Sequence, residues 1–315
     1  MNMSNLITYS EMFHSLQGEG VLTGHNTAWL RLFNCNLDCA GFLQKDPTNP
    51  ETYDLPYKDF DPTTVNRIED LPVWSRGCDS SYSWAAKFKH LNHQDSADGI
   101  ARKIMDMLAT DTNPKGTFVH EKSGQETHMC FTGGEPLLPR NQRAIIAILE
   151  AFKLYKGGPV AETPYYLASN TPKQITFETN GTQMLKQETV DYFANRGLFD
   201  SRILFSVSPK LFTVSGETNT KAIKTEVVKQ YQDVSAFGQL KFVVGVEERQ
   251  WEELERVIDL FREAGVKYPI WLMPVGALEE QQTDIAARVS DMALARGYNV
   301  SARVHTYIYG NKIGT

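Results

Sequence analysis

Four cysteines offer this chain its most distinctive chemistry, and all stand in its first half: Cys35, Cys39, Cys78 and Cys130. Cys35-Asn36-Leu37-Asp38-Cys39 follows an apolar run over 28–33, so two thiols separated by three residues can face one metal from a single turn. A third thiolate can arrive from a distant loop, and Cys78 opens such a stretch, Cys78-Asp79-Ser80-Ser81-Tyr82-Ser83-Trp84. The plainer reading is that these are small buried hydrophobes, as free cysteines often are. Cys130, between Met129 and Phe131, reads as core. Thr132-Gly133-Gly134-Glu135-Pro136 ends the same run. Its two glycines let a ligand approach the backbone, and the Glu135 carboxylate stays available beside strand-end amides, which suits the amino group of a zwitterion. Alone this is a turn; next to Cys35 and Cys39 it is more specific.

Further blocks follow in order. They are Phe13-His14-Ser15-Leu16-Gln17-Gly18-Glu19-Gly20, Glu178-Thr179-Asn180-Gly181-Thr182, Ser206-Val207-Ser208-Pro209-Lys210 and Lys241-Phe242-Val243. Leu272-Met273-Pro274-Val275-Gly276 and Arg303-Val304-His305 with Gly310-Asn311-Lys312 complete the series. With Arg31, the cysteine pair and 132–136, this succession resembles the radical S-adenosylmethionine (SAM) superfamily, and within it the 7-carboxy-7-deazaguanine synthases, from residue 9 to the end of the chain. The superfamily's usual spacing is CxxxCxxC, and its third position here is Phe42, which cannot ligate iron. The family's block after the third cysteine reappears at Cys78-Asp79-Ser80, so the spacing is CxxxC, 38 residues, then Cys. Closing a longer loop adds entropy cost only logarithmically, so the extra chain can be looped out.

The resemblance implies a 4Fe–4S cluster on Cys35, Cys39 and Cys78 whose open iron takes the amino and carboxylate groups of SAM. It places Gly134 and Glu135 on the methionine moiety and Gly77, Cys78 and Asp79 beside SAM near the cluster. Ser208, Pro209 and Lys210, with Met273, Pro274, Val275 and Gly276, would line the far side of SAM. Ser80 stands where the family has a Mg2+ ligand, completed by a substrate carboxylate and waters because Mg2+ prefers six oxygens. The implied substrate is 6-carboxy-5,6,7,8-tetrahydropterin, contracted to 7-carboxy-7-deazaguanine with loss of ammonia in queuosine-type 7-deazapurine biosynthesis. Glu178 would accept two adjacent N–H groups of the pterin edge, and Arg31 would clamp the substrate carboxylate. Leu16, Gln17, Gly18, Thr132 and His305 would meet the remaining polar edges. Ser80 as a capping serine, 208–210 as a proline-fixed turn and His305 as a structural histidine are the plainer alternatives. No catalytic residue beyond the cofactor ligands is assigned. An electron donor such as flavodoxin and a homodimer are family expectations.

The elements that must position these groups alternate strand and helix, the pattern of an α/β protein with a mainly parallel sheet. The resemblance makes it a partial, modified (β/α)6-type barrel with loop insertions. Strands are predicted at 28–33, 128–132, 174–179, 202–207, 239–244, 270–273 and 302–307. Helical spacing groups Ile145, Ile148, Leu149, Phe152 and Tyr155 on one face, and likewise Trp251, Leu254, Val257, Ile258 and Phe261, with Gly265 placed to end that helix. Ile285, Val289, Met292 and Ala293 form another such face, and 97–109 reads as one more helix. Aperiodic stretches at 43–73, 110–127, 156–173 and 211–220 read as insertions on a single-domain core, chiefly one at about 43–74.

Composition narrows the classes. With 41% hydrophobic residues the chain can bury a core, which excludes wholesale disorder. A net charge of −6 with no basic block argues against nucleic-acid binding. No apolar run reaches the ~18–20 residues of a membrane span, and the amino-terminal residues lack the layout of an export signal. Few cysteines point to a reducing, cytoplasmic setting. The rival readings are another radical SAM enzyme such as a glycyl-radical activase, and a non-catalytic protein that keeps an iron–sulfur or zinc site.

Overall fold

The computed structural model describes residues 6–154, 170–194 and 202–314. In chain order the main elements begin with β1 (Ile7–Leu16), β2 (Asn26–Leu32), β3 (His93–Asp95), α1 (Ala97–Leu108), β4 (His128–Gly133) and α2 (Pro139–Leu154). They continue with β5 (Gln174–Thr179), α3 (Gln187–Ala194), β6 (Arg202–Val207), α4 (Thr225–Val234), β7 (Gly238–Val244) and α5 (Glu248–Glu263). The series ends with β8 (Ile270–Pro274), α6 (Glu279–Ala295), β9 (Asn299–Val300) and α7 (Val304–Tyr309). Among the described residues nine strands form one sheet, ordered β3-β1-β2-β4-β5-β6-β7-β8-β9. From β2 to β9 every pairing is parallel, while β1 runs antiparallel to both β2 and β3. The expected α/β class holds: β2 and β4 to β8 are six parallel strands of one sheet whose order does not return on itself.

Register decides what each face of this sheet carries. Leu30 aligns with Phe131, Phe131 with Phe177, and Phe177 with Phe205. The three rings stack in a row with centroids 5.7 and 5.5 Å apart, and Phe205 continues onto Tyr231 of α4 at 4.7 Å. This face belongs to the main core, with the apolar stripes of α1, α2, α4, α5 and α6 packed into it. Truncating one such buried ring costs roughly 3–5 kcal/mol. Side chains alternate along a strand, so the residues between point the other way. There Arg31 aligns with Thr132, Glu178 with Ser206, and Ser206 with Gln239. One face holds the fold together and the other is left for polar chemistry.

Two strand readings change. Residues 7–16 form the ten-residue β1, which the sequence reading missed because its polar residues Glu11, His14 and Ser15 break a simple apolar pattern. The strand expected at 302–307 is instead irregular chain that follows the short β9 and enters α7 at Val304. The β-branched and aromatic residues there look strand-like, but Tyr307, Ile308 and Tyr309 are exposed, so no burial holds them in the sheet. The backbone is turned by Val304 N–H donating to Gly18 O (2.9 Å) and by Thr306 Oγ1 donating to Arg303 O (2.8 Å). Tyr155 and most of the 156–173 stretch lie outside the described residues.

The aperiodic 43–73 stretch consists of single turns, Pro50–Thr52, Pro56–Asp59, Pro62–Thr64 and Ile68–Asp70. Proline opens the first three at a position where its missing N–H costs nothing. Turns this short show no period, yet they enclose a small core of Leu55, Tyr57, Ile68, Leu71 and Trp74 with Tyr82, Phe88 and Leu91. Among the described residues no helix is long and apolar enough to cross a membrane.

Candidate active site

At the carboxyl ends of the parallel strands lies a pocket into which Cys35, Cys39 and Cys78 all open. The four cysteines are free thiols, and Cys130 is buried within β4. Cys35 and Cys39 sit on a tight loop after β2. Asn34 and Cys39 adopt positive φ angles of 99° and 48° there, which non-glycine residues hold only when their surroundings enforce it. The enforcement is visible: Glu217 Oε1 accepts the backbone N–H groups of Asp38 (2.6 Å) and Cys39 (2.8 Å). Gly134 closes on the same loop, and a Cβ on it would fall 2.3 Å from Asn34 O and 2.7 Å from Cys35 Cβ. Only glycine permits that approach.

Burial pushes the thiols up, Cys35 to about 12 and Cys78 to about 11, with Lys210 the cation that partly opposes it at both. Donors nevertheless converge on the sulfurs: Trp84 Nε1 on Cys78 Sγ (3.4 Å), and Leu37 N and Asn180 Nδ2 on Cys35 Sγ (3.5 and 3.9 Å). Among the described residues no three His, Cys, Asp or Glu side chains gather round one point as a single ion requires. A cluster asks instead for thiolates at separate irons. Three free thiols on one wall, with hydrogen-bond donors aimed at sulfur, fit that donor set.

The same pocket also carries a chain of paired charges. Lys241 is only 3% exposed and donates to Glu19 Oε2 (2.6 Å) and Glu178 Oε2 (3.0 Å). Glu178 also accepts from Ser206 Oγ (2.9 Å) and, on Oε1, from Gln17 Nε2 (3.1 Å). Arg303 continues the chain, with Nε on Glu19 Oε1 and Nη2 on Asp79 Oδ2, both at 3.0 Å. Burial alone would raise the Glu19 carboxyl, but Lys241 and Arg303 outweigh it and hold it well below the usual carboxylate range. Arg31 donates through Nε to Glu11 Oε1 (2.7 Å), which Tyr82 also reaches (2.9 Å), and its guanidinium lies 5.7 Å from the Tyr82 ring centre. His305 is pushed down to about 4, first by burial and then by Arg303, and stands so close to Gly18 that a Cβ there would overlap its ring.

Most residues singled out in the sequence meet at this pocket. Leu16, Gln17, Gly18, Arg31, Gly77, Asp79, Ser80, Thr132 and Gly134 line it, as do Glu178, Ser208, Lys210, Met273, Pro274, Val275, Gly276 and His305. Pro209 is not among the lining residues. Glu135 is a correction: its carboxylate is not available but fully buried, accepting from Leu137 N (2.9 Å), Thr179 Oγ1 (2.8 Å) and Asn180 N (2.7 Å). The strand-end turn needs an internal acceptor for those donors, so the side chain ties β4 to β5. His305 lies on a helix rather than a strand. Ser80 Oγ donates to Asp79 Oδ1 at 2.9 Å. The sequence reading assigned nothing to Glu19, Lys241, Arg303 and Glu217. A lysine inside the apolar run of β7 was the one available signal; the others depend on partners 178 to 284 residues distant or on loop geometry.

No protein-family model matches the chain. Over 97% of its length it is 24% identical to a 7-carboxy-7-deazaguanine synthase of Rhodopirellula baltica, 88% of which is covered. A crystal structure of QueE from Escherichia coli aligns with 97% of this chain and 100% of its own at 17% identity and a TM-score of 0.49. Over nearly its whole length the chain is therefore similar to a 7-carboxy-7-deazaguanine synthase, the family its motifs resemble.

Proposed function

We propose that this protein is a radical SAM enzyme that contracts 6-carboxy-5,6,7,8-tetrahydropterin to 7-carboxy-7-deazaguanine with release of ammonia. The observation that carries the reading is the meeting of three free thiols and the Glu178 carboxylate in the lining of one pocket. A 4Fe–4S cluster on Cys35, Cys39 and Cys78 would supply the electron that cleaves SAM and so provides the hydrogen-abstracting radical. Gly134 exposes backbone to the methionine end, while Gly77, Asp79, Ser208, Lys210 and Met273–Gly276 enclose the rest of SAM.

Glu178 has about four lone-pair sites, and Gln17, Ser206 and Lys241 occupy three. Two-point recognition of the pterin edge therefore requires Gln17 to release Oε1, which frees its amide for the substrate carbonyl. Lys241 stays paired with Glu178 Oε2 at 3.0 Å and fixes the carboxylate's orientation. Arg31, oriented by Glu11, meets the substrate carboxylate. Ser80 would contribute one oxygen to Mg2+, with the substrate and waters supplying the others. Soluble operation with a flavodoxin-type donor, and a homodimer, belong to the same proposal.

The test is anaerobic reconstitution followed by assay with SAM, Mg2+, pterin and dithionite. Formation of 7-carboxy-7-deazaguanine with 5′-deoxyadenosine supports the reading. Cleavage of SAM only in the presence of a glycyl-radical protein would favour an activase. Absence of cluster absorbance would overturn it.

A further inference from the structure

Three tryptophans line the pocket: Trp29, Trp74 and Trp84. The indole N–H groups of Trp29 and Trp74 are buried without an acceptor, whereas that of Trp84 donates to Cys78 Sγ at 3.4 Å. An indole N–H is a donor only, and a thiol is a weak acceptor. A thiolate accepts far more strongly, because charge-assisted bonds are about twice as strong as neutral ones. The Trp84 contact therefore places a donor where a Cys78 sulfur bound to iron would accept it.

The ring is held by the chain between the second and third cysteines. Tyr57 meets Trp84 edge-on with centroids 5.8 Å apart, and Tyr57 is itself part of the small core with Leu55, Trp74 and Phe88. That segment is pinned at its base where Gly77 N–H donates to Phe42 O (2.9 Å), and at its rim where Gln281 Nε2 donates to Ser75 O (2.9 Å). Gln44 ties its interior, with Nε2 on Asp54 O (2.7 Å) and Oε1 accepting from Asp54 N (2.8 Å). The 38 residues between Cys39 and Cys78 thus form a buttress behind one ligand rather than slack chain.

We propose that Trp84 is a positioning residue that holds the third cluster ligand, Cys78, through an N–H···S hydrogen bond and raises the cluster's reduction potential, with the inserted segment fixing Trp84 through Tyr57. The inference rests on the radical SAM reading above. Its physical basis is that hydrogen bonds to cluster sulfurs stabilise the more negative, reduced state.

The decisive measurement uses the reconstituted wild-type protein labelled with 15N at the tryptophan indole. A pulsed-EPR hyperfine coupling from that nitrogen to the reduced cluster is expected, retained in Trp29→Phe and Trp74→Phe and lost in Trp84→Phe. In a dithionite redox titration, Trp84→Phe should shift the oxidised-to-reduced ratio about tenfold toward oxidised at the wild-type midpoint, about 59 mV for one electron. Tyr57→Ala should shift it part of the way. Absence of the coupling or an unchanged midpoint in folded Trp84→Phe would overturn the proposal while leaving the enzymatic reading intact, whereas full iron content in Cys78→Ala would overturn the proposal together with the place of Cys78 among the cluster ligands. No cluster in the wild type would overturn both. Should Trp84→Phe fail to fold, the wild-type coupling with the Trp29 and Trp74 controls still decides.

Discussion

The two walls of the pocket solve the problem of buried polarity in opposite ways. On the ion-pair wall, two cations, Lys241 and Arg303, pair with three carboxylates, Glu19, Glu178 and Asp79, within the protein. On the thiol wall the groups are buried and held protonated, and no comparable set of internal charges draws the protons off. An internally paired wall can recognise a ligand by hydrogen bonds while staying rigid. A wall of neutral thiols with donors aimed at sulfur becomes fully ionised only against an external positive group such as iron. The contrast separates a recognition surface from a cofactor seat.

The sharpest way to break this contrast is to delete a thiol. Cys35→Ala, Cys39→Ala or Cys78→Ala should each abolish cluster absorbance and reduce product formation to background, whereas Cys130→Ala should retain both. On the other wall, Lys241→Met leaves Glu178 without its cation and Glu19 with Arg303 alone, and should destabilise the fold by about 3–5 kcal/mol in denaturant unfolding. Adding Glu178→Gln should recover part of that loss, since one unpaired charge is removed with the lysine already gone.

A smaller effect concerns pH. His305 titrates near 4 when folded against about 6.5 unfolded. Between those values the unfolded chain binds more protons, so stability is full above about 6.5 and falls as pH drops toward 4, by up to about 3 kcal/mol. His305→Gln should flatten that window in thermal melts. The smallest change is expected outside the pocket, at the exposed Arg143–Glu188 pair (2.7 Å), where Arg143→Ala should alter stability by less than about 0.5 kcal/mol. A loss there as large as at Lys241 would remove the distinction between buried and exposed pairing.

Legibility in the sequence followed the range of the interactions. Strands β4, β5 and β6 were readable because Phe131, Phe177 and Phe205 sit in short apolar runs, and α5 because its stripe from Trp251 to Phe261 keeps helical period. Strand β1 and helix α7 were not, since their conformations come from pairing with distant segments rather than from local pattern. The cysteines and the Gly-Gly-Glu turn announced themselves by type and spacing, but Glu135 turned inward to satisfy three donors that only the fold assembles.

The sequence by itself determined the alternation of strand and helix, the three thiols and the 38-residue interval between two of them. Tertiary structure alone decided which charges meet: Glu19 reaches Arg303 across 284 residues and Lys241 across 222. It also decided that the inserted turns would close a core behind Trp84. Local preference and hydrophobic period are properties of neighbouring residues, whereas burial brings together partners that no local rule relates, and there the cost of an unpaired charge selects the arrangement.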